Sequence, residues 1–158
     1  MNLQIKEANA NDIPHILMMI HEFADFLELS AYCDITEESL QNVMFGENSF
    51  VKGLIALADE TPIAYAIFFP FFASFKGQRS LFLEDIYIKP EFRQAGIGEQ
   101  MLRKIAKIAR SQNCSRIDFQ VLKDNQKAIN FYKKLGASCN EDETHYKFIG
   151  QAFQNLAS

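Results

Sequence analysis

Six residues, Arg93-Gln94-Ala95-Gly96-Ile97-Gly98, join a strand-like run, Leu81 to Ile88, to an amphipathic helix-like run that opens at Ile97. Glycines let a backbone turn sharply and approach a ligand closely. The amides that open a helix converge on anions at the positive end of its dipole. Two phosphate loops of other kinds are excluded. A P-loop needs Lys and then Ser or Thr after its last glycine, where this chain has Glu99 and Gln100. The dinucleotide fingerprint needs a third glycine where Met101 stands. A pyrophosphate cradle and an ordinary strand-to-helix turn remain, and the loop alone leaves both open.

With 158 residues and 48% hydrophobic content, the chain suits a single domain, residues 1–158, with a sizeable core. A net charge of -4 with dispersed basic residues argues against a nucleic-acid partner and fits a small cationic substrate. Cys33, Cys114 and Cys139 are odd in number and far apart, which matches neither a disulfide framework nor a CxxC motif. They predict a reducing, cytoplasmic setting, with Cys114 and Cys139 packing rather than reacting. His15, His21 and His145 lack metal-ligand spacing, so no metal is expected. Met1 to Ala10 has neither the basic start nor the apolar run of a signal peptide. Ile63 to Phe75 is too short to span a bilayer and is interrupted by Pro70, so it reads as a buried strand and no membrane partner is expected.

Leu3 to Glu7 alternates like a strand. Asn9 then offers a cap to a helix whose apolar stripe, from Ile13 to Leu27, runs through about Leu29. Thr36 caps a short second helix carrying Leu40, Val43 and Met44. Val51 to Ala58 and Ile63 to Phe72 flank Asp59-Glu60-Thr61-Pro62 and predict an antiparallel hairpin. Its Phe68, Phe69, Phe71, Phe72 and Phe75 suit a core or a dimer face, with Phe75 also a candidate substrate wall. Leu81 to Ile88, a helix from Ile97 to about Asn113 and a strand from Arg116 to Leu122 form a right-handed parallel crossover. A last helix runs from about Gln126 to Leu135, with Asn125 as its cap and Gly136 at its left-handed end. A short strand near Ala137 to Cys139 and a final strand from Thr144 to Gly150 complete the expected order.

The runs Leu83-Glu84-Asp85-Ile86-Tyr87-Ile88-Lys89-Pro90 and Asn125-Gln126-Lys127-Ala128-Ile129-Asn130-Phe131-Tyr132, taken with the glycine loop, decide between the two readings of that loop. Together they resemble the GNAT superfamily of acyl-CoA-dependent N-acetyltransferases over nearly the whole chain. Within it, Phe82 to Tyr87 and Ile129 to Ser138 are similar to the diamine, or spermidine/spermine-like, acetyltransferases. The resemblance implies an α/β (α+β) GNAT fold: a mixed, mostly antiparallel sheet of six to seven strands, flanked by about four helices and splayed at its central parallel pair. It also implies acetyl-CoA as co-substrate and a homodimer.

Acetyl transfer to an amine asks for a free lone pair, a donor to the developing oxyanion and a proton for the departing thiolate. An alkylamine with a pKa of about 10.4 is mostly protonated at neutral pH, so a base is useful. Glu84 is the candidate base, directly or through water. Asp85 faces the other way in a regular strand, and only a β-bulge lets both carboxylates line one cleft. By resemblance, the backbone of Ile86, Tyr87 and Ile88 pairs with the pantetheine arm, and the Ile86 NH is an oxyanion donor. Arg93, Gln94, Ala95, Gly96, Ile97, Gly98 and Glu99 hold the pyrophosphate. Tyr132 is the acid for the thiolate, and Asn125, Lys127 and Ala128 lie near the coenzyme. Glu84, Asp85, Asp118, Phe119 and Gln120 face an aliphatic amine.

Some positions depart from that subfamily. Phe26 and Leu27 stand where a tyrosine and a glutamate are usual, with Glu28 one place further on. Tyr146 replaces a tryptophan, and the chain has no Trp. These changes point away from spermidine itself and toward short diamines, lysine analogues such as thialysine, or another primary amine. An acyl-CoA sensor without turnover and an acetyltransferase acting on a protein lysine or N-terminus are the alternative readings.

Overall fold

Five strands form one sheet in the order β1-β2-β3-β4-β5, so each strand lies beside its neighbour in sequence. They are β1 (Leu3–Glu7), β2 (Lys52–Ala58), β3 (Thr61–Ala73), β4 (Gln78–Ile88) and β5 (Ile117–Phe119). The first three pairings are antiparallel, and β4 with β5 is parallel. The parallel pair follows from its connection, since a crossover through α3 (Ile97–Ser111) returns the chain in the same direction. This computed structural model describes residues 2–158. The chain packs as two compact units, one ending at Gln120 and the other Val121–Ser158.

In the first unit the sheet is covered on both faces. Leu54, Ala56, Ala66, Phe68, Leu81 and Leu83 meet Ile97, Met101, Ile105 and Ala109 of α3 on one face. On the other, Ile55, Tyr65, Ile67 and Tyr87 meet α1 (Ile13–Phe26) and α2 (Glu37–Phe45) through Ile13, Ile16, Met19, Leu40 and Met44. Both caps read from the sequence are formed. Asn9 caps the 3-10 turn Ala10–Asp12 that leads into α1, and Thr36 accepts from the Ser39 amide at 3.1 Å. The β2–β3 turn is tighter than the four residues expected. Asp59 and Glu60, with φ of 46° and 70°, make it alone, while Pro62 lies in β3 beside a register shift that spares a ladder bond. β4 begins at Gln78, earlier than its apolar run, because Gln78, Arg79 and Ser80 pair with Ala73, Phe72 and Phe71.

The second unit carries α4 (Gln126–Lys134) and α5 (Gly150–Ala157). Asn125 accepts from the Ala128 amide at 3.3 Å. At the far end Gly136, φ 91°, donates to Lys133 O and Ala137 donates to Tyr132 O, a Schellman closure that fixes the turn bearing Tyr132. Two strand expectations fail. Ala137 to Cys139 is irregular, and Thr144 to Ile149 forms no strand, with Gly150 opening a helix instead. Residues 144–149 are all exposed and pair with none of the described strands, and an extended segment without a partner satisfies no backbone group within the fold. The described residues thus hold five strands and five α-helices, fewer strands than expected within the same mixed sheet. No described helix is long and apolar enough to cross a membrane.

Candidate active site

The pairing of β3 with β4 is regular until Ile67 meets Asp85 and Phe68 meets Leu83, which leaves Glu84 as an inserted residue. The bulge reverses the alternation of the strand. Leu81 and Leu83 before it, and Ile86 and Ile88 after it, all pack on the α3 face, although three positions separate Leu83 from Ile86. Asp85 and Tyr87 therefore reach the opposite face, where Tyr65 donates to Asp85 Oδ2 at 3.2 Å. A regular strand would have pointed Asp85 into the α3 core.

β5 pairs with β4 only from Leu81 to Leu83, so among the described residues β4 has no strand on that edge beyond Leu83. Lys89 N donates to Ile63 O at 2.9 Å, which makes Ile88 opposite Ala64 and Ile86 opposite Ala66 non-hydrogen-bonded pairs. The NH and C=O groups of Ile86 and Ile88 consequently face the open edge, while those of Tyr87 face β3. Splayed strands and a bulge together expose alternate amides beside two carboxylates.

Burial raises the Asp85 pKa to about 6, helped by the charge of Glu84 and opposed by the Tyr65 hydrogen bond. Glu84, next to Asp85 in the strand, is the exposed member of the two. Tyr65 is fully buried; desolvation first, and then Asp85, push its phenol far above the usual range. Its partnership with Asp85 was not foreseen from sequence, where the only signal was a hydroxyl inside an apolar strand. Glu22 on α1 was likewise missed. It accepts from the Tyr87 hydroxyl at 3.3 Å and lies 3.4 Å from Lys89 Nζ.

Past Ile88 the chain makes a 3-10 turn, Pro90–Phe92, and two left-handed residues, Gln94 at φ 66° and Gly96 at φ 74°. Gly96 is the N-cap of α3, and Gln100 N is the first amide to close a helical bond, to Gly96 O at 3.1 Å. The amides of Ile97, Gly98 and Glu99 therefore stand outside the helical ladder, as anion-binding donors require. A Cβ placed on Gly96 would meet nothing within 4 Å, so its space is open and its φ alone demands glycine. Arg93 is turned inward: its Nε donates to Ile88 O at 2.8 Å, and its guanidinium lies 4.3 Å from the Phe26 ring centre. The Glu99 carboxylate is engaged by Arg103 at 2.6 Å.

The remaining predicted residues divide. Asp118, opposite Phe82 on β5, is paired with Arg116 at 2.6 Å. Phe119 packs with the α3 face rather than with the acidic side. Gln120 is exposed at the end of the first unit. In the second unit, Asn125, Lys127 and Ala128 form the first turn of α4, and burial pushes the Tyr132 phenol up to about 12. Phe75, the candidate substrate wall, is fully exposed.

The sequence profile of the Acetyltransferase (GNAT) family matches residues 17–137, which include β4, its bulge, the glycine loop and α4. The chain belongs to the GNAT acetyltransferase family. Among its GNAT relatives is the thialysine N-epsilon-acetyltransferase of Sus scrofa, 37% identical over 97% of this chain and 96% of that one. The spermidine/spermine N(1)-acetyltransferase-like protein 1 of Homo sapiens is 31% identical over 85% of this chain, but over only 20% of its own length. Among solved structures, an integron cassette protein from the mobile metagenome of V. cholerae superposes with a TM-score of 0.84. It is 26% identical and covers 99% of this chain and 98% of its own. This GNAT member is therefore an N-acetyltransferase with the mixed sheet of the family.

Proposed function

We propose that the chain transfers an acetyl group from acetyl-CoA to the primary amine of a small substrate of the thialysine, diamine or polyamine class. The bulge at Glu84 carries this reading, because it turns Asp85 to the Tyr65 side and inserts an exposed carboxylate next to it, beside an open row of amides. The similarity to the pig thialysine enzyme supports the substrate class. Thialysine, a diamine and a polyamine all present an ammonium group on a flexible chain. Asp85, whose pKa of about 6 leaves it mostly ionised at neutral pH, holds one such ammonium. Glu84 removes the proton from the reacting nitrogen, directly or through water.

The glycine loop suits the coenzyme. Ile97, Gly98 and Glu99 offer unclaimed amides at the start of α3, and Gln94, Ala95 and Gly96 bring further amides to the same turn. Arg93 supports this loop through Ile88. Ile86 and Ile88 offer the edge for the pantetheine arm, with the Ile86 NH as donor to the developing negative charge, whereas the backbone of Tyr87, expected from sequence to pair with that arm, is turned to β3. When bound, acetyl-CoA supplies an acetyl group activated as a thioester. The Tyr132 phenol, fully protonated at neutral pH, provides a proton to the departing sulfur, and Asn125, Lys127 and Ala128 line the coenzyme from α4. The odd, unpaired thiols support a cytoplasmic setting, and residues 1–158 act as one domain within a homodimer.

A thiol-release assay with acetyl-CoA across thialysine, diamines, polyamines, amino acids and peptides tests the proposal. Turnover with short diamines or thialysine is the expected outcome, and turnover with peptides alone would overturn it. Tyr132→Phe is expected to lower kcat about 10²-fold with little change in coenzyme affinity. A kcat within about threefold of wild type would remove Tyr132 from the reaction.

A further inference from the structure

Tyr65 and Ile67 pack with α1 and α2, and Phe69 and Phe71 follow them on the same face of β3 by strand alternation. Phe82 of β4 joins this face, stacked on Phe69 with ring centres 5.4 Å apart and met edge-on by Phe71 at 6.5 Å. Asp118 of β5 is in register with Phe82 and turns the same way, since its neighbours Ile117 and Phe119 pack on the α3 face. The bulge sends Asp85 to this side as well. Half-buried phenylalanines thus share one side of the sheet with Asp85 and Asp118, all within the first unit.

Arg116 adds a cation to this side. Its guanidinium lies 5.3 Å from the Phe71 ring centre and grips both oxygens of Asp118, at 2.6 and 3.1 Å. The ring contact holds the guanidinium plane, and five N–H donors are more than one carboxylate can use. The two side chains are 49% and 38% exposed, so their mutual attraction is weak and either partner is readily shared with a ligand.

The geometry points to Arg116 and Asp118 as a head-group subsite that selects amino acids bearing a terminal amine over plain diamines. This rests on the assignment of the reacting amine to Glu84 and Asp85. Asp118 stands one strand over from Phe82, and Asp85 follows Phe82 three positions along β4, which puts their Cα atoms roughly 10 Å apart. An extended chain of lysine length, with a hydrogen bond at each end, covers that span and lays its apolar stem along Phe82 and Phe69. Its α-carboxylate then meets the Arg116 fork, and its α-ammonium meets Asp118, so that the four charges alternate. A diamine brings Asp118 a second ammonium but gives Arg116 no anion and sets a like charge beside it. Arg116 is therefore the residue that determines which of the two classes is preferred.

The test gives the full chain acetyl-CoA and either thialysine or bis(2-aminoethyl) sulfide, which is thialysine without its carboxylate. Wild type is expected to favour thialysine about tenfold in kcat/KM, chiefly through KM, because the head group binds away from the reacting atoms. Arg116→Gln should bring that ratio close to one, and Arg116→Lys should recover part of it, since the charge returns without the planar fork. Asp118→Asn should raise KM for both compounds. Because the ratio is taken on one variant, a general loss of activity does not move it. Equal use of the two compounds by wild type, or a ratio unmoved by Arg116→Gln, would reduce the pair to plain surface charge; if Glu84→Gln still depressed turnover of both compounds, the amine site would stand without this subsite. Turnover of neither compound by wild type would remove the amine site and the subsite together.

Discussion

The two halves of β4 share a strand, a core face and a neighbour in β3, yet they do different work. From Leu81 to Leu83 the outer edge is paired with β5. From Ile86 to Ile88 that edge is open, and the amides of Ile86 and Ile88 face it. One inserted residue, Glu84, separates them. It returns Ile86 to the α3 core in step with Leu83, and it sends Asp85 to the opposite face. The contrast teaches that a single bulge re-aims the side chains of a strand, while a short neighbour opens its edge, without loss of packing.

The sharpest way to break this comparison is through the packing of the upstream half. Leu83 is 2% exposed within the α3 cluster, so Leu83→Ala is expected to cost about 2–5 kcal/mol of stability. Ile86→Ala removes a half-buried side chain at the open edge and should cost about 1–2 kcal/mol. Urea midpoints for the two variants check the ranking. Equal losses would mean that both halves are held by core packing alone.

The next effect depends on pH. The Asp85 pKa is raised from 3.8 to about 6, chiefly by burial, so the folded chain favours the protonated carboxyl. That stabilising contribution is full below about pH 4 and is lost as pH rises through about 6, an amount of at most about 3 kcal/mol. Asp85→Asn keeps an acceptor for the Tyr65 hydroxyl and removes the ionisation. It should therefore be more stable than wild type at pH 8 and equal to it at pH 4. Thermal unfolding at the two pH values checks this, and a difference independent of pH would show that Asp85 is not strained by its charge.

Much of this was legible in the sequence, for reasons particular to each element. The amphipathic stripes of α1 and α3, the Asn9, Thr36 and Asn125 caps and the parallel crossover follow from local spacing, and the structure has all of them. Glu84 and Asp85 could be named but not oriented, since a bulge depends on pairing with β3 and leaves no mark in Leu83-Glu84-Asp85-Ile86. Tyr65 and Glu22 were invisible because their partners lie 20 and 65 residues away. Thr144 to Ile149 misled for the opposite reason, as a local pattern suggested a strand that pairs with none of the described strands.

A smaller effect is expected at the exit of the open half. Arg93 joins the loop to Ile88 O and covers the rings of Phe26 and Tyr87, at 4.3 and 5.6 Å from their centres. Arg93→Ala should cost about 1–2 kcal/mol, the worth of one charged hydrogen bond and a partly exposed cation–π contact. Because the loop, not the core, loses its support, coenzyme affinity should weaken more than stability, and calorimetric titration with CoA distinguishes the two. Arg93→Lys keeps the charge but not the planar stacking and should recover only part of the loss.

The smallest change in stability is expected at the bulge itself. Glu84 is exposed, so Glu84→Gln should shift unfolding by no more than about 0.5 kcal/mol. Its chemical effects should be larger. The charge of Glu84 is the second cause of the raised Asp85 pKa, so its removal should let Asp85 titrate at lower pH. Carbon NMR of the Asp85 carboxyl across pH reads that displacement directly. Loss of the proton acceptor should also depress turnover most below the pKa of the amine, where the substrate arrives protonated. If Glu84→Gln changes neither the Asp85 titration nor the pH–rate profile, the two carboxylates do not act in one cleft, and the inserted residue only re-aims Ile86 into the core.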